Sequence, residues 1–212
     1  MTKTRTGVLA LRAPNSYSGG TRILGGTLLG DSTSLQGNIE NNATLIFDQI
    51  TSGTFAGSIS GTGWLVKQNS GALTLTGSNS FTGGTWASGG TLIGNTASLP
   101  GDILNESMVV FDQAVEGTYA GSMGGGGALF KQGGGSLTMT GNSFGFGGNT
   151  VVQAGELFVD GALGGSSLVL QRGTLLGGTG WLNTNVFVQP GAVFAPGHSV
   201  GTIHVLGDLR FE

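Results

Sequence analysis

Short segments of alternating apolar and polar residues recur about every ten positions along the chain, each bounded by Gly, Asn or Ser. Trp64-Leu-Val-Lys67, Leu73-Thr-Leu-Thr76, Thr91-Leu-Ile93, Met108-Val-Val-Phe111 and Thr118-Tyr-Ala120 are examples. A period of two sends successive side chains to opposite faces of a pleated backbone, so these segments predict short strands. One stretch competes: residues 38–52 lack glycine, and Ile39, Ala43, Ile46 and Ile50 fit a helical stripe. Asn41-Asn42 and the β-rich Thr44-Leu-Ile-Phe47 oppose a helix, so strand is expected there as well.

The pattern repeats. Phe47-Asp48-Gln49 returns as Phe111-Asp112-Gln113, an offset of 64 residues. At the same offset Ser18-Gly-Gly-Thr21 returns as Thr82-Gly-Gly-Thr85, and Gly25-Gly-Thr-Leu28 as Gly89-Gly-Thr-Leu92. No insertion or deletion intervenes from Gly7 to Gly127. A third copy begins at Gly127, where Leu137-Thr-Met-Thr140 answers Leu73-Thr-Leu-Thr76 and one extra residue enters near Phe144-Gly-Phe146. Dense strands repeated in this way predict a stack in which each coil covers its neighbours. The expected fold is an all-β parallel β-helix (solenoid) of about ten coils, with three coils of about 21 residues in each copy. Copies start near residues 1, 63 and 127; residues 1–185 form the repeats and 186–212 the closing end of the same solenoid.

Composition agrees. Glycine contributes 44 of 212 residues and charged residues only 9%. Glycine loses the most entropy in a helix interior, which excludes a mainly helical chain. Low charge with many Val, Ile, Leu and Phe residues excludes disorder, and the lack of a three-residue glycine period excludes collagen. Net charge is −3 and the eight basic residues are scattered, so no patch neutralises a phosphate backbone and no nucleic-acid partner is expected. With no cysteine, disulfides and thiolate metal sites are absent. No apolar run reaches the ~18 residues of a membrane span. Met1-Thr-Lys-Thr-Arg-Thr lacks the apolar core of a signal peptide, so the sequence reads as an excised piece with an added methionine.

Candidate chemistry is sparse. His198, Ser199, His204 and Asp208 bring together the residue types of a Ser/His/Asp triad, but a triad also needs an oxyanion hole and a pocket. His198-Ser199 follow Pro196-Gly197, which predicts a turn instead. The two histidines have no third ligand nearby, so no metal is expected. Asp48 and Asp112 are repeat-equivalent; three coils at ~4.8 Å would separate them by about 14 Å, beyond the ~5–9.5 Å of glycosidase carboxyl pairs. The glycine nonapeptide of calcium β-rolls is missing. Gly124–Gly127 and Gly133–Gly135 lack the following Lys-Ser/Thr of a phosphate loop and are expected at coil corners. Thr74 and Thr76 do not extend into a threonine ladder, since Ala10 and Arg12 stand in the first copy. The equivalent aromatic pairs Tyr17/Phe81, Phe47/Phe111 and Phe55/Tyr119 are expected inside, with partners from intervening coils; the alternative is a binding stripe on the surface. Catalytic, cofactor and metal residues are each expected to be none, and the binding residues are not identified.

Gly63-Trp-Leu-Val-Lys67, Gly71-Ala-Leu-Thr-Leu-Thr-Gly77, Asn79-Ser-Phe-Thr-Gly-Gly-Thr85 and Gly89-Gly-Thr-Leu92 together resemble the passenger-associated transport repeat of autotransporters, the type V secreted proteins of Gram-negative bacteria. Gly127-Ala-Leu-Phe-Lys131 with Ser136-Leu-Thr-Met-Thr-Gly141 is a second instance, and Leu9-Ala-Leu11 with Asn15-Ser-Tyr-Ser-Gly-Gly-Thr21 the tail of an earlier one. Residues 193–202 with Val205-Leu-Gly-Asp208 resemble the segment that precedes the translocator barrel. The resemblance implies a right-handed β-helix exported across the outer membrane to the cell surface or released. It also implies a C-terminal autochaperone end (186–212) and a translocator β-barrel as partner, absent here since the chain stops at Phe211-Glu212. The expected function is a non-catalytic stalk and folding core. One alternative is an adhesin module binding host or bacterial surfaces; another is the scaffold of an enzyme whose catalytic domain lies upstream.

Overall fold

The computed structural model describes all 212 residues, and every regular element in it is a strand. Residues 38–52 form the strands Ile39–Asn41 and Thr44–Asp48, as their β-branched content requires. All strand ladders are parallel, and each strand pairs with one roughly a coil away in sequence, which defines a β-solenoid. The fold comprises two compact units, Met1–Ser107 and Met108–Glu212, with about five coils in each.

In Met1–Ser107 three faces make up each coil. The first holds Thr2–Lys3, Thr21–Ile23, Ile39–Asn41 and Ile59–Ser60. The second runs from Val8–Ala10 through Thr27–Gly30, Thr44–Asp48 and Trp64–Gln68 to Thr85–Ala87 and Ile103–Asn105. The third holds Gly53–Phe55, Ala72–Leu75 and Thr91–Gly94. Met108–Glu212 likewise has three parallel faces: one of six strands from Met108–Asp112 to Leu209–Phe211, one of five from Gly117–Tyr119 to Val193–Phe194, and one of four from Asn142–Ser143 to His204–Val205.

The repeat and the coil do not share a period. On the first face Thr2 aligns with Arg22, Arg22 with Glu40 and Glu40 with Ser60, so three coils take 58 residues rather than 64. Each copy therefore overruns three coils by the length of one face. Val8–Ala10 lies on the second face and its copy, Ala72–Leu75, on the third; Thr21–Ile23 lies on the first and its copy, Thr85–Ala87, on the second. Thr27–Gly30 and Ile39–Asn41 shift in the same way. This corrects the expectation of three coils of about 21 residues: repeat-equivalent side chains are turned by one face around the axis.

The core consists of registered columns. On the second face Leu28, Leu45, Leu65, Thr85 and Ile103 align from coil to coil, and all are buried. Ring pairs join adjacent faces of one coil: Phe47 meets Phe55 with centroids 5.2 Å apart, and Phe111 meets Tyr119 at 5.1 Å. Phe47, Phe55, Phe81, Phe111 and Tyr119 are thus interior and Tyr17 is half-buried, and the two ring pairs form within one coil rather than with intervening ones. At one corner of the second unit the chain turns through Gly141, Gly161 and Gly180. A Cβ on any of these would strike the carbonyl of Gly121, Gly141 or Gly161, respectively. Backbone there packs directly on backbone.

Candidate functional site

Two features of the fold place polar chemistry where the apolar stack alone does not require it. The first is inside. Lys3, Lys67 and Lys131 sit at the repeat offset and are all buried, on the inward parity of their strands. Lys67 aligns between Phe47 and Ala87 in the core column. Its Nζ donates to the carbonyls of Gln68, Asn69 and Gly89 at 3.1, 2.8 and 2.7 Å. Lys131 Nζ donates to Gln132, Gly133 and Ala154 at 2.8, 2.8 and 2.9 Å, and Lys3 Nζ to Arg5 and Gly25. Each ammonium donates to corner carbonyls, two from its own coil and one from the next for Lys67 and Lys131; of these, Gln68 and Gln132 also accept a backbone N–H, from Gln49 and Gln113.

Burial pushes the Lys67 amine down to about 8, against the Asp48 carboxylate, which favours the charged form. Burial also lowers Lys131, opposed by Asp112 and Glu156. Asp48 itself accepts from the side-chain amides of Gln68 and Asn69. The repeat-equivalent aspartates are therefore the outer counter-charges of the buried lysines, each within its own unit. The inward parity of Lys67 with Leu65, together with the 64-residue recurrence at 3, 67 and 131, was the sequence signal for this arrangement.

The second feature is an open groove of about 650 Å³ on the outer face of the second unit. Its floor follows the register: Thr118 aligns with Thr138 and Thr138 with Phe158, while Ser136 aligns with Glu156 in the next row. Glu116 joins the lining at the strand entry. His198 closes one end. Its ring stacks on Phe158 with centroids 4.7 Å apart and planes 16° from parallel. Its Nε2 lies 2.9 Å from both carboxylate oxygens of Asp160. Asp160 in turn accepts from Thr179 N–H at 3.1 Å. Phe158 lies over Gly177, where a Cβ would meet its ring carbons at 2.7 Å, so glycine is what lets the ring lie down.

The C-terminal residues that suggested a triad are thus distributed. His198 pairs with Asp160, His204 stacks on Trp181 at 4.1 Å, and Asp208 pairs with Arg210 at 2.8 Å. Residues 198–200 form the expected turn. The surplus residue of the third copy sits in the turn after Asn142–Ser143, with Phe144 outward and Phe146 buried. The tryptophans, like Phe144, point outward: Trp64, Trp86 and Trp181 are all exposed.

The family model for the passenger-associated-transport-repeat matches residues 1–29, 65–93 and 129–158. These matches start at the 64-residue offset, each two residues before a buried lysine. The chain is 37% identical over 133 residues to the Adhesin BmaC autotransporter of Brucella suis biovar 1 (strain 1330), covering 51% of this chain and 4% of that protein. It is 35% identical over 95 residues to the Extracellular serine protease of Serratia marcescens, covering 45% of this chain and 9% of that protein. The chain thus spans less than a tenth of either relative's length. No solved structure matches the chain significantly.

Proposed function

This chain is a stretch of autotransporter passenger carrying passenger-associated transport repeats, and from that premise we propose that residues 1–212 act as a non-catalytic surface stalk whose C-terminal end serves as folding core during export. Passengers of this kind lie on the cell surface or are released from it. The partner of the stretch in export is the translocator β-barrel of its own polypeptide.

The observation that carries this reading is the coil-to-coil dependence of the stack. Lys67 and Lys131 each bond a carbonyl of the following coil, and corner glycines rest on the carbonyls of the preceding one. No coil is complete alone, so folding proceeds by adding coils to a formed end. A chain that leaves the cell C-terminus first would fold in that order, and each added coil would oppose backsliding.

Refolding kinetics of two truncations test this. Removal of 186–212 is expected to slow refolding at least tenfold, whereas removal of 1–30 leaves the rate within a factor of two or so. Equal rates would remove the case for a C-terminal nucleus. The relative named as an adhesin favours a second reading, a binding role for an outer face, which cell-adhesion assays on the chain would test. In a third reading the stretch supports a catalytic domain placed upstream, as the relative named as a protease suggests.

A further inference from the structure

We propose that the groove over Gly117–Tyr119, Ser136–Met139 and Glu156–Val159 is a binding site for an uncharged oligosaccharide, lying across the strands. The inference goes beyond the stalk and export role and holds whether or not the C-terminal end nucleates folding. At about 650 Å³ the groove falls in the ~300–1,000 Å³ range of small-ligand sites.

The lining decides the ligand class. Thr118, Thr138 and Ser136 present hydroxyls, which both donate and accept. Glu116 and Glu156 present carboxylates, which only accept. A sugar brings adjacent hydroxyls that donate to the carboxylates and exchange bonds with the threonines, while its apolar C–H surface packs beside the Phe158–His198 ring pair. The lining contains no lysine or arginine, and the Lys131 ammonium that Glu156 favours is buried in its carbonyl cradle, so phosphates, sulfates and uronates would meet two carboxylates with no cation within the groove. A peptide strand would need unpaired ladder groups, but Ser136–Met139 and Glu156–Val159 are each paired on both sides, which leaves only the three-residue strand Gly117–Tyr119 at the sheet's edge.

Register gives the orientation. Thr118, Thr138 and Phe158 follow one another at the strand spacing of ~4.8 Å, and Ser136 and Glu156 repeat that step in the next row. Equivalent polar groups therefore recur along the solenoid axis, the arrangement that suits a chain of similar sugar rings. The ring pair ends the row. Its position is fixed from both sides, by Gly177 beneath Phe158 and by the Asp160 carboxylate on His198, so the wall is in place before a ligand arrives.

Titration of the chain with neutral tetrasaccharides of the glucose, galactose, mannose and N-acetylglucosamine series, followed by amide NMR shifts, tests the site. Saturable shifts from at least one series, centred on Thr118, Thr138 and Phe158, are expected. Glu156→Gln and Thr138→Arg should each weaken binding about tenfold or more, the loss of a hydrogen bond to a charged group or of the floor itself. Both positions face outward, and unchanged far-UV circular dichroism and melting will show that the fold is kept. Three results would each overturn the proposal: no shifts from any neutral series, shifts located elsewhere, or affinity that neither variant changes. Tetralysine and a sulfated tetrasaccharide complete the set. Tighter binding of tetralysine, lost in Glu156→Gln, would make the groove a cation site, and preference for the sulfated sugar would contradict the charge argument.

Discussion

The Tyr17 hydroxyl lies 3.0 Å from Thr21 Oγ1 and also accepts the Gln36 backbone N–H at 3.2 Å. In the second copy Phe81 replaces the tyrosine and Pro100, which has no N–H, replaces Gln36. Donor and acceptor were lost together. Thr85, which corresponds to Thr21, keeps its hydroxyl, buried and without a partner. The third copy repeats the outcome, with Phe146 four residues before a buried, unpartnered Thr150 Oγ1. An orphaned buried hydroxyl costs about 1–3 kcal/mol, whereas an apolar group of the same shape avoids that cost. Thr85→Val and Thr150→Val are expected to stabilise the fold by about 1 kcal/mol each, and Thr21→Val to destabilise it by about as much. Urea melts of the three variants will show whether the signs differ as stated; a loss at all three positions would mean that the hydroxyls have partners in solution.

The buried lysines give a second, sharper contrast. Lys67→Met keeps the volume but leaves the carbonyls of Asn69 and Gly89 without their donor, while that of Gln68 keeps the Gln49 N–H. The expected loss is about 3 kcal/mol, within the ~1–3 kcal/mol cost of each buried unmet group after partial relaxation. The pH dependence follows from the direction of the shift. With the folded-state value at about 8 and the ordinary one at 10.5, the unfolded chain holds a proton between these pH values that the folded chain has released. Stability therefore rises as pH increases through that window and is flat below it. Lys131, lowered for the same reason, adds in the same sense. Midpoints of urea unfolding measured from pH 7 to 10.5 should climb in the parent protein and climb less in Lys67→Met. A parallel pair of curves would show that the carbonyl cradle holds Lys67 protonated throughout.

Much of the fold was legible because the strand signal is local. Leu65 and Lys67, or Leu73 and Leu75, alternate with Val66 and Thr74, and this fixes inward and outward parity without any tertiary knowledge. The coil length was not legible. A 64-residue repeat is compatible with three coils or with three and a third, and only the register of Thr2, Arg22, Glu40 and Ser60 distinguishes them. The role of the lysines was half legible: their recurrence stood in the sequence, but the carbonyls that receive them belong to corners whose geometry depends on the coil period. The groove was the least legible. Glu156 and Phe158 are close in sequence, but Thr118, Thr138 and His198 join them only through strand register and a turn that folds back across two coils.

Corner glycines should tolerate substitution according to what lies beneath them, not according to how glycine-rich the segment is. At Gly161 a Cβ would strike the Gly141 carbonyl, and at Gly180 the Gly161 carbonyl. At Gly134 nothing lies within 4 Å. Forcing a methyl group against backbone requires the coils to part, with a typical cost of 1–3 kcal/mol or more. Gly161→Ala and Gly180→Ala are therefore expected to lose about 3 kcal/mol each, and Gly134→Ala to change stability by less than about 0.5 kcal/mol. Thermal melts of the three proteins provide the comparison, and a costly Gly134→Ala would show that the backbone there is less open than its surroundings indicate.

Asp160 anchors the turn that carries His198, and its removal should loosen the turn without unfolding the stack. The carboxylate accepts from His198 Nε2 and from Thr179 N–H at the surface of the unit, where the His198 side chain is 52% exposed. Exposed pairs of this kind contribute ~0–1 kcal/mol to global stability, so Asp160→Ala should leave the melting midpoint nearly unchanged. Locally the effect is larger, because residues 198–200 have few other attachments than the His198 stack on Phe158 and the Gly178–Gly197 bridge. Hydrogen exchange over residues 196–201 is expected to accelerate about tenfold while Glu156–Val159 beneath stays protected, the pattern of a local opening rather than a global one. Faster exchange in both segments would place Asp160 in the structural core of the unit. Unchanged exchange in both would leave the ring stack and the Gly178–Gly197 bridge as the anchors of the turn, and Phe158→Ala would then be the variant that loosens it.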